Sequence, residues 1–141
     1  MGKEKKPWKF FSWNTLCLVG VVCALNAIIW IAFHGVPLVG LPKAENVKSI
    51  MVTQNDSQQS EVTTPEDIEL LVNATNLLNY RLWGKTEGNP IVTITYYLKD
   101  GNALTIEANR TSMWFNGKLH PLKETDMFIK IVQGLYFDLA Q

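Results

Sequence analysis

Ile91 to Leu119 reads I-V-T-I-T-Y-Y-L-K-D-G-N-A-L-T-I-E-A-N-R-T-S-M-W-F-N-G-K-L, and it decides the fold. Val92, Ile94, Tyr96 and Leu98 alternate with Thr93, Thr95 and Tyr97, the period of a strand with one buried face. After Lys99-Asp100-Gly101 the alternation resumes as Leu104, Ile106 and Ala108 against Thr105, Glu107 and Asn109. Because side chains repeat every two residues, the length of each turn fixes which faces meet. A two-residue Asp-Gly loop sets Tyr97 against Leu104, an outward residue against an inward one. A three-residue loop with Gly101 left-handed pairs Ile94 with Ile106 and keeps the apolar residues together. The same reasoning at Phe115-Asn116-Gly117 predicts a three-residue turn that pairs Met113 with Leu119 and Trp114 with Lys118.

Helices flank this meander. Thr64-Pro65-Glu66-Asp67 is a helix start, with Thr64 as N-cap, Pro65 at the first position and acids facing the dipole. Ile68, Leu71, Val72, Thr75 and Leu78 follow at helical spacing, and the helix is expected to end near Tyr80. Trp83 to Pro90 is rich in turn formers and reads as a loop. A last helix starts around Glu124 to Asp126, with Phe128, Ile131, Val132, Leu135 and Leu139 as its apolar stripe. Ahead of the first helix, Val47 to Thr53 reads as a strand, Asn55 to Ser60 as a polar turn, and Glu61 to Thr63 as a short second strand. The expected fold class is α+β: one N-terminal transmembrane helix, then an antiparallel sheet of four to six strands with two helices on one face.

The transmembrane assignment rests on residues 13–33 (WNTLCLVGVVCALNAIIWIAF), which hold no Asp, Glu, Lys or Arg. At about 1.5 Å per residue that run spans the roughly 30 Å of a bilayer core. Residues 1–12 form a tail in which Lys3, Lys5, Lys6 and Lys9 outnumber Glu4. By the positive-inside rule the tail is cytoplasmic and residues 47–141 form an extracytoplasmic domain. Trp8, Phe10, Phe11 and Trp13 make an inner aromatic belt, with Trp30 and Phe33 at the outer edge. Residues 34–46 carry Pro37, Pro42, Gly35 and Gly40 and read as a stiff stalk. A cleaved signal peptide shares the basic-then-apolar pattern, but the apolar run is long and no A-x-A-like site follows it.

The zero net charge hides an asymmetry, since from Glu45 onward 12 acids face 8 bases. An acidic domain without a Lys/Arg cluster excludes nucleic acid as the expected partner. Both cysteines, Cys17 and Cys23, lie in the apolar run, so the domain folds without a disulfide framework. Cys17, Gly20, Ala24, Ala27 and Ile31 recur at helical spacing as a face of little bulk, and Asn26 sits mid-span with an amide that lipid cannot satisfy. Gly20, Ala24, Ala27 and Asn26 are therefore candidates for contact with another membrane helix or with a second copy.

No spacing of His, Cys or carboxylates suits a metal, no glycine loop suits a phosphate, and no cofactor is implied. Glu66, Asp67 and Glu69 read as solvated residues matched to the helix dipole. His120 is the single histidine of the domain proper, expected on the outward sheet face near Ser112. Thr93, Thr95, Tyr97, Thr105, Trp114, Lys118 and His120 are expected to share that face, with Tyr97, Trp114 and His120 as candidate binding residues. Asn55, Asn73 and Asn109 each open an Asn-X-Ser/Thr glycosylation pattern.

The run G-N-A-L-T-I (101–106), W-F-N-G-K-L (114–119) and F-I-K-I-V-Q-G-L-Y (128–136), behind a basic tail and one span, resembles small uncharacterised extracytoplasmic domains of Gram-positive bacteria. Similar domains are also appended to membrane metallopeptidase sensors. The zinc motif of those peptidases is absent here, so the resemblance carries over no catalytic residue. The expectation is a single-pass, membrane-anchored binding, sensing or accessory protein rather than an enzyme, associated with another membrane protein. The alternative is an extracytoplasmic hydrolase using the outer sheet face.

Overall fold

The structure, a computed structural model, describes residue 2, residues 12–123 and residues 125–137. The tail lysines, Trp8, Phe10, Phe11, Glu124 and Leu139 lie outside the described residues. The chain divides into two compact units, Met1–Phe33 and His34–Gln141.

Helix α1 (Trp13–His34) is 22 residues long and buries none of them. Among the described residues it is the one helix long and apolar enough to cross a membrane, with a mean hydropathy of 2.5. Asn26 does not leave its amide unmet: Nδ2 donates to the Val22 carbonyl at 2.8 Å, one turn back.

The second unit is α+β. Its strands are β1 (Val36–Pro37), β2 (Val47–Gln54), β3 (Gln58–Val62), β4 (Asn79–Tyr80), β5 (Val92–Leu98), β6 (Ala103–Ala108), β7 (Ser112–Phe115) and β8 (Lys118–Pro121). Helices α2 (Pro65–Asn76) and α3 (Thr125–Tyr136) complete it. Six strands form one antiparallel sheet in the order β3-β2-β5-β6-β7-β8, and β1 pairs with β4 apart from it. Consecutive strands are neighbours except where α2 and β4 intervene between β3 and β5. The β-branched and aromatic run of β5 therefore lies inside the sheet, between β2 and β6.

The alternation holds. Val92, Ile94, Tyr96, Ile106 and Ala108 are buried, with Ile94 opposite Ile106 as the three-residue Lys99-Asp100-Gly101 turn requires. Gly101 takes the left-handed conformation, and Asp100 Oδ1 accepts from the Asn102 amide at 2.9 Å. These side chains meet Ile68, Leu71 and Val72 of α2 and Phe128, Ile129 and Val132 of α3 in one core.

The second hairpin departs from the expectation. Phe115 pairs with Lys118, Trp114 with Leu119 and Met113 with His120, around a two-residue Asn116-Gly117 turn. Both turn residues have positive φ (50° and 71°), the backbone of the tight turn that Asn-Gly favours. The shift of one residue turns every side chain of β8 over. Keeping Leu119 with Met113 misjudged an edge strand, whose apolar residues need not face the core.

Four further differences are local. The turn after β2 is Asn55-Asp56-Ser57, shorter than expected, because Asn55 and Asp56 both adopt positive φ and reverse the chain at once. Helix α2 ends at Asn76 rather than near Tyr80, since Asn79 and Tyr80 pair with Pro37 and Val36. Thr64 stands at the N-cap, but its hydroxyl donates to Asp67 Oδ2 instead of accepting from the backbone. In α3, Ile129 takes the buried place expected of Ile131, which is 36 % exposed beside exposed Leu135.

Residues 34–46 are woven into the domain. Val36 and Pro37 pair with β4, Leu38, Leu41 and Ala44 pack on the core, and Ala44–Asn46 forms a 3₁₀ turn.

Candidate functional site

Two surfaces expose apolar groups in an organised way. The first is the outer sheet face. Thr95 and Thr105 stand opposite each other there, their hydroxyls 3.2 Å apart. Tyr97 is 43 % exposed, and Trp114 is half-buried between Glu107 and exposed Leu119 on neighbouring strands.

His120 does not share that face. It stands opposite buried Met113, so β8 turns it and Lys118 toward the core side. Its ring packs against Tyr80 with centroids 4.5 Å apart. Burial, with a smaller contribution from Lys118, holds its pKa below the ordinary histidine value. The structure thus brings Tyr97 and Trp114 to one face and separates His120 from both. The expected Ser112–His120 neighbours are separated too, because Ser112 pairs with Pro121. Ser112 is fully buried and its Oγ accepts from the Glu87 amide at 3.1 Å. A hydrolytic nucleophile needs a base within reach and access to substrate. This serine serves the loop instead.

That loop is fixed mainly by Asn109, which is buried rather than outward. Its Nδ2 donates to the carbonyls of Glu87 at 2.7 Å and Asn89 at 3.2 Å. Its Oδ1 accepts from the amides of Thr111 at 2.9 Å and Ser112 at 2.7 Å. Thr111 Oγ1 donates a further bond to Oδ1 at 3.3 Å, so the amide is saturated. The third glycosylation pattern therefore has its acceptor nitrogen enclosed in the folded chain.

The second surface is a groove of about 270 Å³ between the end of α2 and the start of α3. Ala74, Leu77, Leu78, Met127, Phe128 and Ile131 line it, together with Asn79. Leu77 is 77 % and Met127 60 % exposed. Sequence reasoning passed over it, although Met127, Ile131 and Leu135 repeat every four residues beside the buried set. An amphipathic helix has one apolar face; α3 has two adjoining ones, and the core takes only the first.

In α1, Gly20, Ala24 and Ala27 are exposed along the helix, and a Cβ on Gly20 meets nothing within 4 Å. Among the described residues no group of three or more His, Cys, Asp or Glu is placed to hold a metal ion. Glu66 and Asp67 lie in the first turn of α2 as the dipole favours. No family model, no curated protein and no solved structure matches the chain.

Proposed function

We propose that the chain is a single-pass membrane protein that presents an extracytoplasmic binding domain as an accessory to another membrane protein. The observation that carries this reading is α1: an apolar helix, unburied along its length, that ends one residue before the first strand of the domain. The lysine-rich tail favours a cytoplasmic N-terminus by the positive-inside rule. The α2–α3 groove supports a binding role, because it offers concave apolar surface of the kind that receives one face of a helix. A domain tethered this closely meets the extracytoplasmic parts of neighbouring membrane proteins at high effective concentration.

Two experiments test the reading. Co-purification in mild detergent is expected to recover a membrane protein with the wild-type chain and to lose it with Leu77→Glu and Met127→Glu. Both positions are exposed, so the melt of that variant should stay within about 0.5 kcal/mol of wild type. A strictly monomeric chain recovered alone overturns the accessory role. Protease added outside intact cells should reach the domain and spare the tail; the opposite pattern reverses the orientation.

A further inference from the structure

We propose that the segment following β4, Arg81 to Lys85, is a lipid-contacting collar: Leu82 and Trp83 enter the headgroup layer of an anionic bilayer, and Arg81 and Lys85 meet its phosphates. The proposal rests on α1 being the anchor. Its own evidence is the path of the chain around Gly35.

Gly35 is the single residue between the end of α1 and the start of β1. It has φ of 77°, and a Cβ there would lie 2.9 Å from the Tyr80 carbonyl oxygen. The chain therefore enters the domain through a joint held against β4, with no free spacer. Val36 pairs with Tyr80 and Pro37 with Asn79, antiparallel. Residues after Tyr80 thus run back toward the end at which the chain arrives from His34. Antiparallel neighbours stand about 5 Å apart, and the three residues from Tyr80 to Trp83 span at most about 10 Å. The headgroup layer on each side of a bilayer is itself about 5–8 Å deep. This short path puts Leu82 and Trp83 within reach of the headgroup layer.

The residues suit that layer. Leu82 is 55 % and Trp83 64 % exposed. Tryptophan is enriched at membrane interfaces, where its ring is half apolar and half polar. Arg81 and Lys85 are exposed on either side of the pair, and Lys123 lies beside Gly35. Glu87 is the single acid from Asn79 through Glu87, and Glu124 follows Lys123 in sequence. In a domain that is acidic as a whole, this local excess of cations complements the negative charge of anionic lipid.

The test uses the full chain in vesicles of phosphatidylcholine and phosphatidylglycerol. A polarity-sensitive dye is attached through Trp83→Cys, with Cys17 and Cys23 replaced by Ser. Lys85→Cys serves as a second label site, and Tyr97→Cys on the outer sheet face is the control. Lipids carrying a nitroxide at the headgroup should quench the dye at 83 and 85 more strongly than at 97. The difference should shrink when phosphatidylglycerol is omitted or when Arg81→Gln is added to the Trp83→Cys chain. A label on native Cys23, with Cys17→Ser, reports the anchor through quenching by acyl-chain nitroxides. Quenching at Cys23 with equal response at 83, 85 and 97 overturns the collar and leaves the anchor standing. No quenching at Cys23 overturns the anchor and the collar with it.

Discussion

The hydroxyls of Thr75 and Tyr96 lie 2.5 Å apart inside the core, tying α2 to the central strand β5. Thr75 Oγ1 donates to the Leu71 carbonyl at 2.8 Å, so its proton is engaged and Tyr96 is the donor between the two. Burial, the largest influence, drives the Tyr96 pKa far above the usual phenol value. Tyr96 is therefore a neutral donor at every physiological pH.

The two residues predict an asymmetric mutational cycle. Thr75→Val strands the buried Tyr96 hydroxyl and should cost about 1–3 kcal/mol. Tyr96→Phe leaves Thr75 bonded to Leu71 and should cost about 0.5–1.5 kcal/mol. The double variant should be more stable than Thr75→Val alone, since it removes the stranded group. Denaturant melts of the detergent-solubilised chain check the order.

The sheet faces make a second prediction. Ile106 is buried opposite Ile94, whereas Thr105 is exposed. Ile106→Ala should cost about 2–5 kcal/mol through the cavity it leaves. Thr105→Ala should stay within about 0.5 kcal/mol. Equal losses in the same melts would refute the face assignment.

Gly117 and Gly134 predict opposite signs for one substitution. Neither would place a Cβ within 4 Å of another atom, so backbone conformation alone decides. At Gly117, with φ of 71°, alanine should destabilise by about 1–2 kcal/mol. At Gly134, inside α3, it should stabilise by about 0.4–1 kcal/mol. Thermal melts of the two variants read the signs directly.

His120 makes the pH prediction. Its folded pKa lies below the ordinary histidine value of 6.5, through burial and then Lys118, so the folded chain binds this proton less tightly than the unfolded chain. Its contribution is neutral well above pH 6.5. As pH falls through that value toward the folded pKa, stability is lost, because the unfolded state takes up more proton. Nuclear magnetic resonance titration of its ring should give a midpoint below 6.5, rising with Lys118→Gln. His120→Gln should flatten the same part of the stability profile.

The central strands were legible in the sequence because β5 and β6 are long enough to show their period and buried on one face only. The Lys99-Asp100-Gly101 turn followed from that constraint. At β8 the constraint is gone: four residues at an edge, with Leu119 out and His120 in, break the rule that sorts residues by polarity. The β1–β4 pair was not legible, since two residues show no period and the pairing joins Val36 to Tyr80 across more than 40 positions. Of the candidate binding residues, Tyr97 and Trp114 sit where alternation puts them, and His120 was lost to the one-residue shift in register at the Asn116-Gly117 turn. The groove went unread because Ile131 was assigned to the core in place of Ile129.

The two ends of the sheet bear on aggregation. On the proposed anchoring, a membrane confines copies to a plane, where edges meet far more often than in free solution, and an open strand edge is a template for polymerisation. At one end β3 is polar, Gln58-Gln59-Ser60-Glu61, and five residues long. At the other, β8 closes on Pro121, whose ring offers no donor and whose carbonyl already accepts from the Arg81 amide at 2.7 Å. Tyr80 bridges to Leu122 just beyond it. Tyr80 and Arg81, at the end of the strand that pairs with β1, thus also blunt one sheet edge, so crowded copies are hindered from adding strand to strand there.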